Sequence, residues 1–296
     1  MKHAFMSPHS SLLRSAFFIL CSAAFFAAGC SENPFGGDKN EISTGAREVR
    51  GTVQLNDRAD PAGAVVWLEN FNLATRADAN GNFALLLPPP GAQGAGNGAT
   101  GLFNLYFYVA NYELTAAQVA TRNGAFVYAQ AGIGPTGNLN HPSFLRKFLR
   151  IETRVTPGIV RANRLDPIEV MLTLQALADT VSVIFPHTLR ASDWIGALII
   201  RSLTSPNVYL FRTVPTSDYH EAAFLNTSIH VRQCTFSLAT LPLPPGDYEV
   251  IPYFLIRHDP LPTGLRAALG PNLETPGANY LQIPMRREGG RLQVTP

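Results

Sequence analysis

Charge is scarce in this chain. Of 296 residues only 15% are Asp, Glu, Lys or Arg, against roughly 25% in an average soluble protein, which excludes a charge-rich disordered segment. Neither sign dominates: 23 Lys plus Arg stand against 21 Asp plus Glu. No broad basic stripe is therefore on offer to nucleic-acid phosphates. Cysteine is down to Cys21, Cys30 and Cys234, too few for a disulfide framework. No apolar run reaches the roughly 20 residues that a membrane-spanning helix requires. What the chain does have is turn punctuation between apolar runs: 24 Gly, 23 Pro and 46% hydrophobic residues.

Residues 15–28 (SAFFILCSAAFFAA) form an uncharged apolar run of fourteen, with Lys2 and Arg14 ahead of it. A positive start followed by a short apolar core reads as an export signal. The run ends in Ala27-Ala28-Gly29-Cys30, which resembles the bacterial lipobox, in which small residues precede a cysteine that receives a diacylglycerol. The resemblance implies a lipoprotein signal peptide over 1–29 and Cys30 as the acylated first residue of the mature chain. Ala27 stands where leucine is commonest, and the small residues also suit ordinary signal-peptidase cleavage. One acyl chain of about 14 CH₂ at ~0.8 kcal/mol each holds only marginally, so firm anchoring takes two or three. By the sorting rule of enteric bacteria, Ser31 after the cysteine favours the outer membrane. Residues 31–46 (SENPFGGDKNEISTGA) are polar and suit a tether; as a flexible coil they span roughly 22 Å.

Cleavage ahead of Cys30 removes Lys2 and Arg14 and no acidic residue, leaving 21 basic and 21 acidic residues. Cys21 leaves with the signal and lipid occupies Cys30, so Cys234 has no partner for an internal disulfide. In HVRQCTFSL it shares strand parity with Phe236 and Leu238, the pattern of a buried, inert thiol.

The body after residue 46 reads as all-β. Short runs rich in Val, Ile, Phe, Tyr and Thr recur between Gly and Pro: EVRGTVQL, AVVWLEN, NFALLL, FNLYFYVA, FLRIETRV, PIEVMLTL, TVSVIF, GALIIRSL, SIHVRQCTFSL and DYEVIPYFLIR among them. Many short strands with frequent turns predict immunoglobulin-like or prealbumin-like sandwiches. Length suits two in tandem, over 47–175 and 176–296. ELTAAQVATR near Thr115 and HEAAF near His220 are the candidates for short helices.

Within 51–90, Gly51-Thr52-Val53 opens a strand and Gly63-Ala64-Val65-Val66-Trp67-Leu68 forms the next. The stretch 75–83 (TRADANGNF) reads as a hairpin, with Asp78 and Asn80 bonding nearby backbone and Gly81 taking positive φ before Phe83, Leu85 and Leu87 turn inward. These parts, in this order, resemble the carboxypeptidase regulatory-like domain, a prealbumin-like sandwich. That domain is an appendage of its enzyme, so the resemblance implies a fold and no peptidase activity. Gly196-Ala197-Leu198-Ile199-Ile200 echoes the second strand later in the chain, and Leu243-Pro244-Pro245-Gly246-Asp247-Tyr248 matches the family's closing turn. The insertion GAQGAGNGATG (91–101) departs from the family and reads as a free loop, a candidate contact.

Motifs with chemistry fail on context. His220-Glu221 begins like a zinc-binding helix, but Phe224 stands where the second histidine belongs and His230 is off the face. Gly132-Ile133-Gly134-Pro135-Thr136-Gly137 has the letters of a dinucleotide fingerprint without a following helix. Residues 78–82 lack the closing acid of a calcium loop. No catalytic residue, cofactor or metal is assigned. One basic cluster, Arg146, Lys147, Arg150 and Arg154, is a candidate patch for an anionic partner, or else a solvated sheet face in which Arg150, Glu152 and Arg154 share one side. Trp67, Trp194, Tyr106, Tyr108 and Tyr112 are candidates for stacking on sugar rings.

The sequence thus predicts a noncatalytic, lipid-anchored envelope protein that presents β-sandwich surfaces to a protein partner. A carbohydrate-binding module is the alternative, and an exported hydrolase with a non-sequential triad a lesser one.

Overall fold

Strict alternation of apolar and polar side chains sets the layers. In the strand Asn82–Leu86, Phe83 and Leu85 are buried while their neighbours face water, and in Ile168–Ala176 the even-numbered residues point inward without exception. The computed structural model describes residues 47–94, 96–257 and 261–296. The signal peptide, Cys30 and the tether lie outside the described residues. Within them the fold is all-β, with twenty strands, two 3₁₀ turns and one short α-helix, Thr263–Leu269.

The first sandwich packs a three-stranded sheet, in the order Asn82–Leu86, Glu48–Leu55, Ser143–Leu145, on a five-stranded one, in the order Leu73–Arg76, Val65–Leu68, Gly101–Tyr108, Thr115–Arg122, Ala125–Phe126. Val49, Val53, Phe83 and Leu85 from one sheet meet Val66, Leu68, Leu105 and Phe107 from the other. All four residues of Val65–Leu68 are buried, because both faces of this sheet are covered. Val65 and Trp67 point the other way, into a second core.

That second core belongs to a sandwich of a five-stranded sheet, in the order Ile159–Arg161, Arg291–Thr295, Gly246–Pro252, Ala197–Ser202, Val208–Arg212, and a four-stranded sheet, in the order His230–Phe236, Ile168–Ala176, Leu149–Thr156, Glu288–Gly289. A third sheet contains His220–Leu225, Val181–Pro186 and Leu255–Ile256. Leu172 and Val170 face Leu198, Ile200 and Val250 across the middle. The closing turn forms as its residues require: Gly246–Pro252 follows it as a strand, and the Tyr248 hydroxyl donates back to Pro244 O at 2.6 Å.

Four sequence expectations need correction. The division between the cores falls between Leu145 and Leu149, not after 175, since Ile168–Ala176 pairs with Leu149–Thr156 on one side and His230–Phe236 on the other. Leu177 to Thr180 is only a passage between sheets of one body. Neither expected helix forms: Thr115–Arg122 pairs along its length with Gly101–Tyr108, and His220–Leu225 with Val181–Pro186. Helix propensity is a weak prior, and an available strand partner overrides it. The 75–83 turn forms as read locally, with Asp78 Oδ1 accepting from the Asn80 and Asn82 amides at 2.8 Å each and Gly81 at φ 81°. Its flanking strands, however, belong to different sheets, so it carries the chain from one layer to the other.

Candidate functional site

The two bodies meet along a strap, residues 282–288, whose alternate residues grip the first sandwich. Arg76 Nη2 donates to Gln282 O at 2.9 Å and the Ala110 amide to Pro284 O at 2.7 Å. Next, the Arg286 amide donates to Asn111 Oδ1 at 2.9 Å, Asn111 Nδ2 returns a bond to Arg286 O at 2.9 Å, and Arg286 Nη2 reaches Ala62 O at 2.6 Å. Asn111 has no exposed surface. Spacing by two is the period of an extended strand, so one side of the strap serves each body.

Three of the four candidate basic residues sit at this junction in ion pairs. The Lys147 side chain is 8% exposed and lies 3.0 Å from Asp57 Oδ2 and 3.6 Å from Glu288 Oε1. Tyr112 donates its hydroxyl to Asp57 at 2.9 Å. Burial pushes the Asp57 carboxyl up, but hydrogen bonds from Lys147, Tyr112 and the Ala59 amide outweigh it and leave the acid below its ordinary value. Arg146 donates from Nε to Glu113 at 2.8 Å, and Arg150 lies 3.5 Å from Glu152 and 3.4 Å from Glu288. Arg154 is exposed on the outer sheet face, in register with Met171. Arg150, Glu152 and Arg154 do share that face. Carboxylates therefore interleave with the cations, and the surface presents both signs.

Of the five candidate aromatics, Trp67 (4% exposed), Tyr108 and Tyr112 are buried, and Tyr106 is half-buried against Trp67. Burial removes Trp67, Tyr108 and Tyr112 from any sugar-stacking surface. Trp194 alone of the five is exposed, at 39%.

The remaining motifs resolve into structure. Residues 132–137 are turns, with Gly132 and Gly137 at φ 83° and 81°. Glu221 receives Arg232 through two bonds, of 2.7 and 2.9 Å, while His220 and His187 rings meet edge to face at 5.6 Å. Among the described residues no group of three His, Cys, Asp or Glu could hold a metal ion. Cys234 is 2% exposed, and burial pushes its thiol up to about 12. The 91–101 insertion is stapled instead of free: Gln93 Nε2 donates to Pro88 O and Gly124 O at 2.7 and 2.8 Å, and Gln93 Oε1 accepts from the Ala99 amide at 3.0 Å.

What the sequence did not reveal is a cavity of about 420 Å³ beside helix Thr263–Leu269, between the bodies. Its walls include Tyr108 from the first sandwich and Phe254, Leu269, Leu273 and Met285 from the second. At its edge Arg266 Nη1 donates to Glu274 Oε1 at 2.9 Å, with both side chains largely exposed. Cavities of roughly 300–1,000 Å³ with apolar walls and a few polar groups are the usual form of a small-molecule site. The one local signal was the polar-apolar mix of TGLRAALG, which carries no motif.

No protein-family model matches the chain, and no curated protein matches it. The resemblance of 51–90 to the carboxypeptidase regulatory-like domain therefore stands without a family match. Solved structures similar to it include two of BcpA, the major pilin subunit of Bacillus cereus. One is 11% identical, covering 71% of this chain and 68% of that one at a TM-score of 0.26. The other is 11% identical, covering 69% and 63% at 0.24. The Bacillus anthracis TIE protein is 10% identical, covering 71% of this chain and 30% of that one at 0.21. Scores this low show no shared fold, and the sandwich assignment rests on the strand pairings and cores above.

Proposed function

We propose that the chain is a noncatalytic, lipid-anchored protein of the bacterial envelope, held at the outer membrane by acyl chains on Cys30, which presents its fused sandwiches to a protein partner. The observation that carries this reading is the position of Cys30, directly after a fourteen-residue apolar run and the small residues Ala27, Ala28 and Gly29. The polar stretch 31–46 then supplies reach from the lipid surface. The body suits such a role, because the junction ties both sandwiches into one platform through the Asn111 side chain and the Arg286 backbone. Its remaining thiol, buried Cys234, is no nucleophile.

Labelling cells with radioactive palmitate and fractionating membranes tests the anchor. The wild-type chain takes label and sediments with membranes, while Cys30→Ser loses both; label and sedimentation unchanged by the substitution would overturn the reading. In-cell crosslinking followed by affinity capture of the full chain then identifies the protein partner.

Exposure of Trp194 favours carbohydrate binding as a second reading. Thr188 Oγ1 donates to Trp194 O at 2.8 Å and Arg232 Nη1 fixes Ser192 O, so the ring is offered from a braced loop. Retention on envelope polysaccharide that Trp194→Ala abolishes would select this reading over the first.

A further inference from the structure

The cavity beside helix Thr263–Leu269 draws its charged side chains from one segment. Its charged and amide lining, Arg266, Asn272 and Glu274, comes from one short stretch of chain, whereas the strands and the strap contribute apolar groups. Two tyrosine hydroxyls in this region are committed elsewhere: Tyr280 donates to Phe254 O at 2.7 Å and Tyr253 to Glu274 O. Tyr280 thus offers the cavity its ring and not its hydroxyl. Half of the lining residues are aliphatic, Leu261, Leu269, Leu273, Ile283 and Met285 among them. An alkyl chain laid on these residues leaves water with them, and the unbranched, adaptable Met285 can follow its contour. Arg266 is the cation at the edge, and its pairing with Glu274 uses Nη1, leaving other guanidinium donors for a ligand.

We propose that this cavity binds a single-chain amphiphile, its acyl or alkyl chain against the aliphatic wall and its anionic head on Arg266. Nothing in this assignment depends on Cys30, and each can fail alone. Glu274 competes with the ligand head for the same guanidinium, so it limits affinity. Carboxylate and phosphate heads share the required chemistry, and a guanidinium accepts either through paired N–H donors.

The test uses the full chain carrying Cys30→Ser, handled without detergent, and Trp194→Phe, which leaves Trp67 as the remaining tryptophan. Trp67 packs directly on the cavity-wall helix, where a Cβ added at Gly264 would lie 2.5 Å from its ring. A long-chain fatty acid brominated at its far end is titrated in and Trp67 fluorescence is read. Saturable quenching is expected. Arg266→Ala, on the surface, should weaken it about tenfold, the worth of one charge-assisted contact. The brominated alcohol of equal length should be indifferent to that change, Glu274→Gln should tighten the fatty acid, and Ala110→Leu should block both ligands by filling the wall. A brominated lysophosphatidate compared with the fatty acid reports which head is preferred. Absence of saturable quenching would overturn the assignment, as would quenching that Ala110→Leu leaves intact while circular dichroism shows the variant folded. Equal response of acid and alcohol to Arg266→Ala would overturn the anionic head.

Discussion

Asn111 and Arg286, 175 residues apart, bond to each other as neighbouring strands do: each accepts one hydrogen bond from the other at 2.9 Å. A side-chain amide imitates a backbone amide and so pairs a strand end with the strap. Asn111 Nδ2 also donates to Leu149 O at 3.0 Å, placing both bodies and the strap on one fully buried group. Removing it strands a carbonyl on each side.

Asn111→Ala should therefore cost about 2–4 kcal/mol, because buried groups left without partners forfeit ~1–3 kcal/mol each. Urea unfolding checks this as a fall in midpoint at unchanged slope. Asn111→Asp should cost at least as much, since it keeps the shape but loses the donor and buries a charge. A midpoint within experimental error of wild type for either variant would show that the strap holds without Asn111.

Asp57 makes the junction acid-sensitive. Its folded-state acidity lies below the ordinary value because bonds from Lys147, Tyr112 and Ala59 favour the anion over the desolvation that opposes it. A carboxyl depressed on folding adds stability at pH above its unfolded pKa of about 3.9, and that increment disappears as pH falls through the lower folded value. Thermal midpoints measured from pH 7 down to 2 should decline less steeply for Asp57→Asn than for wild type. Parallel curves would exclude Asp57 as a contributor to acid unfolding.

Much of the fold was legible because alternation is local. Leu85, Val170 and Cys234 all lie buried as their parity in the sequence requires. The turn at Asp78 and Gly81 was legible for the same reason, since its hydrogen bonds span four residues or fewer. The core boundary was not. Leu149–Thr156 alternates equally well for either sandwich, and no linker marks the division. Asn111, Asp57 and Arg286 carried no signal either, because their meaning lies in partners 38 to 224 residues away. Context alone turned an alanine-rich segment such as TAAQVATR into a strand.

Gly264 tests how closely the bodies approach. Alanine there gains up to about 1 kcal/mol of helix propensity. Its Cβ, however, would sit 2.5 Å from Cζ2 of buried Trp67. Overpacking of this kind costs roughly 1–3 kcal/mol, so the clash wins. Gly264→Ala should lower stability, and adding Trp67→Phe, which deletes the clashing edge, should recover part of the loss. A double-mutant cycle with no favourable coupling would mean that the helix moves aside instead.

Gln93 is the last point of leverage, since its one side chain closes the 91–101 loop through three hydrogen bonds. The loop also leans on Gly98, at φ 80°, where a Cβ would fall 2.5 Å from Gly124 Cα. Backbone therefore touches backbone, and the staple and the glycine act on the same contact. Because the loop buries little apolar surface, Gln93→Ala should leave the global unfolding midpoint nearly unchanged while opening the loop locally. Hydrogen exchange reads this directly: the Ala99 amide, now bonded to Gln93 Oε1, should exchange at least about tenfold faster, with the strand amides of Gly101–Tyr108 unaffected. Gly98→Ala should reproduce the effect through strain and not through a lost bond. If Ala99 stays protected in both variants, the loop is held by the Gly124 amide bond to Ala99 O, at 3.0 Å, and not by the glutamine.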